Sequence, residues 1–323
     1  MVINLSDKFH EISRKSVFGN ASQQSLSDFG SGHFVIQQDI YPWHICGLFN
    51  LGNTCYVNSI VQILRIMTDL YVLYHANGIH SALAESFREL MTSMNFRLQE
   101  APETFINTLK ETFRNDFNVH AQQDVPDVLQ RVLINFLETG FINRDHIMVS
   151  SRQLTTCLVC GNTGVSTESN IIFPIPVTNS IQMSLDKFFD PISLSGENSY
   201  QCNNCGCRQD AEQISCVTQN PKYIFFQIKR YKFIQGRRFK DRSIVHLNNY
   251  INLTVTNNGH QQIQSYKLIG TIHHSGEDDK GHYFSYVCVD NQWNKCDDRY
   301  TCKIGYSQIP NENSYLVIYK SDT

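Results

Sequence analysis

Cys55 is preceded by Gly52-Asn53-Thr54 and followed by Tyr56, Ile60, Ile63, Leu64 and Met67. Those apolar residues recur at the spacing of one helical face, which predicts an amphipathic helix with the thiol in its first turn and the Thr54 hydroxyl available as a cap. Peptide dipoles and unpaired N–H groups at a helix start favour a thiolate, and a thiolate within reach of a base is a nucleophile for acyl transfer. A buried structural cysteine is the other reading of the residue type. Candidate bases lie far downstream, in the run YKLIGTIHHSGEDDKGHYFSYV from Tyr266, which offers His273, His274 and His282. His282 opens a strand-like stretch, HYFSYVCVD, and the acidic pair Asp297-Asp298 of WNKCDD follows after a turn at Asp290-Asn291. A hairpin of these segments carries a carboxylate to the imidazole, where it fixes the tautomer and stabilises the charged ring. Spacing alone leaves the base open among the three histidines and the acceptor open between the two aspartates.

The chain's eleven cysteines fall into two groups. Cys157-x-x-Cys160 and Cys202-x-x-Cys205 form two knuckles, each followed by a glycine, Gly161 or Gly206. Together they supply the four thiolates that a structural zinc ion prefers. The 41 residues between Cys160 and Cys202 place such a site at the tip of long strands rather than in a compact ribbon. A closed thiolate shell has no position for an activated water, so one structural Zn2+ is expected, without a catalytic role. Cys207, in CNNCGC, leaves one ligand of the second knuckle open by two positions. It belongs with Cys46, Cys55, Cys216, Cys288, Cys296 and Cys302, scattered thiols that suit a reducing compartment.

The segment GLFNLGNTCYVNSIVQ from Gly47 resembles the nucleophile box of the ubiquitin-specific protease family. Further segments similar to that family's follow in its order: QQDVPDVLQRVL from Gln122, CLVC from Cys157, CNNC from Cys202, FQIKRY from Phe226, the histidine run from Tyr266, and WNKCDD from Trp293. The resemblance extends from about Gly47 to Lys320. It implies an α+β, papain-like cysteine protease fold with a helical thumb, a β-rich palm and zinc-binding β fingers. It also implies His282 as the base, Asp297 as the orienting acceptor with Asp298 as the alternative, and the Asn50 amide as a donor to the oxyanion. Asn53 is left to turn chemistry. Relatives cleave the bond after the Gly-Gly end of ubiquitin, so the implied partner is ubiquitin and its conjugates. Tyr283 and Tyr286 would wall a channel narrow enough for a di-glycine, and Asp124 and Asp127 match positions that contact arginines upstream of it. Both aspartates equally suit a helix start. Val125-Pro126-Asp127 departs from the family's usual glutamate, since Asp127 is one methylene shorter, while Pro126 suits a first helical turn. Two alternatives use the same residues: identical chemistry on another ubiquitin-like modifier, such as the interferon-induced two-domain one, and a non-catalytic ubiquitin-binding scaffold.

Several elements must position these groups. Leu83, Phe87, Leu90, Met91 and Met94 mark a second helix. Phe105, Leu109 and Phe113 mark a third, and Val125, Val128, Leu129, Val132, Phe136 and Leu137 a fourth, so residues 47–143 read as the thumb. β-branched and aromatic runs dominate from Ile147, with residues 147–220 containing the fingers and 221–320 the palm. Residues 41–323 thus form the catalytic domain, and residues 1–40, rich in Ser, Gln and Asn, a flexible arm. The Glu277-Asp278-Asp279-Lys280 tip is expected in a solvated loop over the cleft. Lys229 and Arg230 read as strand positions, and the cluster Arg237, Arg238, Lys240 and Arg242 as a solvated loop or hairpin. A formal net charge of -3 gives no basic field for nucleic acid. No apolar run approaches the roughly 18 residues needed to cross a bilayer, and MVINLSDKFHEISRK lacks the apolar core of a secretory signal. A monomeric intracellular enzyme of the cytoplasm or nucleus, without organic cofactor or membrane partner, is expected.

Overall fold

The computed structural model describes residues 45–70, 81–114, 121, 123–234, 237–257, 260–277 and 280–322. The arm expected over residues 1–40 lies outside them. Helices Cys55–Arg65, Ala82–Met94, Glu103–Thr112 and Val125–Glu138 form the helical lobe around one apolar core. Phe87 anchors that core, its ring centroid 5.6 Å from Phe105, 5.4 Å from Phe136 and 6.4 Å from Phe141, in the tilted and edge-on geometries that ring quadrupoles favour. The Cys55 helix differs from its predicted form. Instead of one buried face it is buried all round, because its polar residues are spent on hydrogen bonds to neighbouring segments. Gln62 Nε2 donates to Cys46 O at 2.6 Å, and Arg65 Nη2 to Met94 O at 3.2 Å.

The strand lobe is built on a twelve-stranded sheet among the described residues. Its long strand His260–Glu277 pairs antiparallel with Tyr250–Asn257, Lys280–Val289 and Ser314–Ser321. On one side the order runs through Lys280–Val289 and Gln292–Asp297 to Tyr300–Ile304. On the other it runs through Tyr250–Asn257 to the ribbon Ala211–Gln219, Val149–Cys157 and Thr163–Asn170, whose tip carries the cysteine knuckles. Asp290 and Asn291 join two of these strands with φ of 48° and 63°, the paired left-handed residues of a tight hairpin. The expected loop over the cleft is mostly ladder: Ser275 pairs with His282, and Gly276 with Gly281. Its tip residues 278 and 279 lie outside the described set.

Arg230 is not a strand position. It follows the strand Tyr223–Ile228, is fully buried, and donates to the carbonyls of Ser314 at 2.6 Å, Asp241 at 3.1 Å and Ser243 at 2.8 Å. A buried guanidinium surrounded by carbonyls pins the root of the hairpin Tyr231–Ile234/Arg237–Lys240, which is where the basic cluster sits. Among the described residues no helix is long and apolar enough to cross a membrane.

The far end of the Cys55 helix is stapled to the sheet through Asp69. Its carboxylate accepts from Tyr223 Oη at 2.6 Å and lies 2.7 Å from Lys222 Nζ and 2.9 Å from Lys320 Nζ. Burial pushes this carboxyl up, but the three partners together hold it well below the usual carboxylate range. A folded pKa below the unfolded one gives stability that is present above about pH 3.8 and is lost as pH falls further. Asp69→Asn is therefore expected to destabilise by about 1 kcal/mol at neutral pH, allowing for solvent screening of a one-third-exposed network. In thermal melts the gap to the wild type should close in strong acid. Equal melting at neutral pH would show that the staple contributes nothing.

Candidate active site

Cys55 opens its helix and is only 2 % exposed. Thr54 precedes it but does not cap it. The Thr54 hydroxyl donates to Asn50 Oδ1 at 3.3 Å and accepts from the Leu51 N–H at 2.9 Å. The 50–54 turn closes on itself, with Gly52 and Asn53 at φ of 96° and 55°, so the hydroxyl is consumed there and Asn53 serves the turn as expected.

His282 comes to the sulfur from the strand Lys280–Val289, which packs on the Cys55 helix. Its Nε2–H donates to Asp297 Oδ1 at 2.6 Å, and Nδ1 is the ring nitrogen left for the Cys55 thiol, which is near enough to act on the charge of the ring. The Asp297 bond first, then Cys55, push the imidazole up to about 10 against burial. The same bond to His282 holds Asp297 down to about 2, with Lys295 helping from its other oxygen. Lys295 Nζ donates to Asp297 Oδ2 at 2.8 Å. A buried thiol thus stands beside a half-buried imidazole–carboxylate pair, with a charged ring favoured between its two partners.

The rival histidines are occupied elsewhere. His273 is fully buried, donates from Nδ1 to Glu312 O at 3.1 Å, and is pushed down to about 3 by burial, which leaves it neutral. His274 is buried against Tyr283, with ring centroids 4.5 Å apart, and its Nδ1 lies 3.1 Å from both Tyr231 Oη and Lys240 Nζ. A side chain at residue 281 would overlap the His274 ring, so the glycine before His282 is a packing requirement.

Asp298 braces the loop that leads into Cys55. One oxygen accepts from Asn50 Nδ2 at 2.9 Å and the other from Asn58 Nδ2 at 2.8 Å. Asn58, one turn beyond Cys55, was not anticipated; a polar residue on the flank of an apolar helical stripe was the available signal. Leu48 N–H donates to Asp298 O at 2.9 Å, and a Cβ on Gly47 would overlap the Arg299 carbonyl, so the first glycine of GLFN permits this close strand approach. Asn50 Oδ1 accepts from Gly52 N–H at 3.0 Å and Thr54 N–H at 3.2 Å, which fixes the direction of its NH2 group.

Tyr283 and Tyr286 do not share a wall. They stand an odd number of residues apart on one strand and enter opposite cores, Tyr283 with the helices and Tyr286 beside Trp293. Tyr283 Oη donates to Asp124 Oδ1 at 3.5 Å, and the same carboxylate helps, after burial, to push the Tyr315 hydroxyl up. Asp124 precedes the helix Val125–Glu138 without capping it. Asp127, in the first turn, is exposed and pairs with Arg131 Nε at 3.1 Å.

At the ribbon tip the sulfurs of Cys157, Cys160, Cys202 and Cys205 all lie within 4.8 Å of one another. Cys157 and Cys205 are 4.0 Å apart, and Cys160 and Cys202 3.6 Å. A tetrahedral Zn–S shell at about 2.3 Å requires sulfur separations of about 3.8 Å, so the four fit a metal ion. Gly161 and Gly206, at φ of 70° and 71°, close the two knuckles, while Cys207 pairs across the strands with Cys202 and stands outside the cluster.

A helical lobe, a sheet lobe, and a thiol, imidazole and carboxylate aligned between them make up the papain-like class of thiol hydrolases. Residues 46–319 match the family model described as ubiquitin carboxyl-terminal hydrolase, and the chain belongs to that family. It is 25% identical over 312 residues to ubiquitin carboxyl-terminal hydrolase 25 of Arabidopsis thaliana, covering 84% of this chain and 47% of that one. It is 24% identical to ubiquitin carboxyl-terminal hydrolase 8 of Saccharomyces cerevisiae, covering 85% of this chain and 70% of that one. The chain therefore spans about half the length of the Arabidopsis relative. Among solved structures, the SAGA Ubp8/Sgf11/Sus1/Sgf73 DUB module bound to ubiquitin aldehyde shares the fold, with a TM-score of 0.71 at 19% identity over 86% of this chain and 70% of that one.

Proposed function

We propose that this chain is a thiol-dependent deubiquitinase that hydrolyses the isopeptide or peptide bond after the C-terminal Gly-Gly of ubiquitin. The observation that carries the reading is the His282–Asp297 hydrogen bond beside Cys55, whose thiol acts on the same imidazole, in a chain of this family. The Cys55 thiolate attacks the glycine carbonyl, and the resulting oxyanion is met by the N–H of Asn50 Nδ2 that does not face Asp298. Collapse breaks the C–N bond as His282 passes its proton to the leaving amine, giving a thioester. His282 then takes a proton from water, whose oxygen attacks the thioester, and the ubiquitin carboxylate leaves with Cys55 restored.

A nucleophilic residue that is 2 % exposed admits only a slender chain, which a di-glycine satisfies. Asp124, which accepts from Tyr283, would meet a basic residue upstream of that di-glycine, whereas Asp127 must first release Arg131. Cys157, Cys160, Cys202 and Cys205 would hold a zinc ion that ties two hairpins together, away from the reaction.

Ubiquitin bearing a C-terminal electrophile tests the reading: covalent labelling of Cys55 is expected. Labelling only by another ubiquitin-like modifier's probe would shift the substrate class. No labelling by any probe would remove the catalytic reading.

A further inference from the structure

We propose that Lys295 is a positioning residue for the reaction, setting both the orientation of Asp297 and the acidity of the His282 imidazolium. The inference rests on the deubiquitinase reading for its substrate but not for its geometry. An ammonium paired with a carboxylate two residues away on one strand is ordinarily a surface ion pair of small consequence. Here the carboxylate is the one that holds His282. Its Oδ1 is spent on His282 Nε2 at 2.6 Å and its Oδ2 on Lys295 Nζ at 2.8 Å. With both oxygens engaged, the carboxylate plane is fixed with one lone pair aimed at the imidazole. A carboxylate held only by His282 could turn about its terminal torsion, which is broad and roughly two-fold.

Lys295 is itself held. Its Nζ lies 4.9 Å from the centroid of Phe284, and that ring stacks on His282 with centroids 6.2 Å apart and planes 25° apart. Imidazole, ring and ammonium thus share one face of the strand pair, and Tyr286 and Cys302 flank Lys295 across the neighbouring strands. The side chain is one-third exposed, so packing alone gives it little reason to be there.

The charge matters for the second half of acyl transfer. Asp297 drives the imidazole upward, and an imidazolium that holds its proton too firmly is a poor acid toward the leaving amine. A cation on the far oxygen draws off part of that pull. The other titratable and charged groups around the pair are Cys55 from the helix, Tyr286 and buried neutral His273 from the adjoining strands, Cys296 and Asp298 on either side of Asp297, and Cys302. Among these described groups Lys295 is the cation bonded directly to Asp297.

The test compares wild type, Lys295→Met and Lys295→Arg in the pH dependence of kcat/KM for a fluorogenic C-terminal amide of ubiquitin. The same titration is read without ubiquitin, as the rate at which iodoacetate alkylates Cys55, because the reagent's carboxylate is drawn by the imidazolium. Removing a cation this close raises the imidazolium pKa, so the alkaline limb of Lys295→Met is expected to move up by about half a pH unit or more in both readouts. Its kcat at neutral pH should fall about tenfold with KM unchanged, and Lys295→Arg should restore both. An alkaline limb in Lys295→Met that coincides with the wild type's, whatever the rate, overturns the proposal and leaves Lys295 a surface ion pair. Should the methionine variant fail to fold, Lys295→Gln, a polar neutral side chain, is read by the same criterion. Wild-type protein that alkylates with a titrating limb but cleaves no ubiquitin amide would sink the substrate reading and leave the Lys295 inference standing on the alkylation data.

Discussion

Cys55→Ala is expected to lower hydrolysis of a ubiquitin C-terminal amide by about 10⁵-fold or more while leaving ubiquitin binding within a few-fold of wild type. The sulfur sits at the start of a helix buried on every side, so alanine removes one atom and exposes no new surface. Among the described residues nothing near it can stand in. His273 and His274 are committed to Glu312 O and to the Tyr231/Lys240 pair, and Cys46 and Cys296, the other buried thiols of that core, are pushed up by burial to about 11 and about 12. His282→Ala should fall almost as far, and the double variant no further than the worse single one, because nucleophile and base act as one unit. Stopped-assay turnover against binding by calorimetry checks the split. Residual cleavage near the wild-type rate in Cys55→Ala would place the nucleophile elsewhere.

Those residues were legible in the sequence to different depths, and the differences have physical reasons. The Cys55 helix could be read because apolar periodicity is local, and the hairpin delivering Asp297 because Asp290-Asn291 tolerates left-handed backbone. What periodicity does not encode is what happens to polar groups on a helix with neighbours on all sides. Asn58, Gln62 and Arg65 look like a solvent face in one dimension and are buried donors in three. Thr54 illustrates the same limit, since a hydroxyl beside a helix start is a cap only if nothing nearer claims it, and Asn50 does. The glycines Gly47 and Gly281 are required by contacts with Arg299 and His274, which lie far away or across a strand, and no turn signal announces them. Tyr286 leaves the side that Tyr283 occupies because two positions three apart on a strand face opposite ways, a rule that the spacing in the sequence already carries. Choosing His282 over its rivals, and Asp297 over Asp298, needed the family resemblance first and the register of three strands to see why.

Removing metal from the cysteine cluster should be nearly as severe for the ribbon tip as removing Cys55 is for the reaction. The tip has almost no core of its own. The strand Thr163–Asn170 has no buried residue, Leu158 and Val159 between the first two cysteines are 65% and 66% exposed, and of the four cysteines only Cys157 and Cys202 are buried. Ladder hydrogen bonds alone make two-stranded hairpins marginal in water. Four thiols within 4.8 Å of one another gain little from one another as thiols, whereas thiolates on a zinc ion contribute on the order of 10–16 kcal/mol of apparent binding free energy, which here is folding free energy for the tip. Purified protein is expected to carry about one zinc per chain. Chelation, or Cys160→Ser, should open the stretch between Cys157 and Cys205 to protease while the apolar cores under the active site stay resistant, because neither core contains the exposed tip residues. Metal analysis and limited proteolysis read the two halves of the prediction separately. Metal-free protein whose tip resists protease would show that strand pairing suffices and that the four sulfurs sit together without holding an ion.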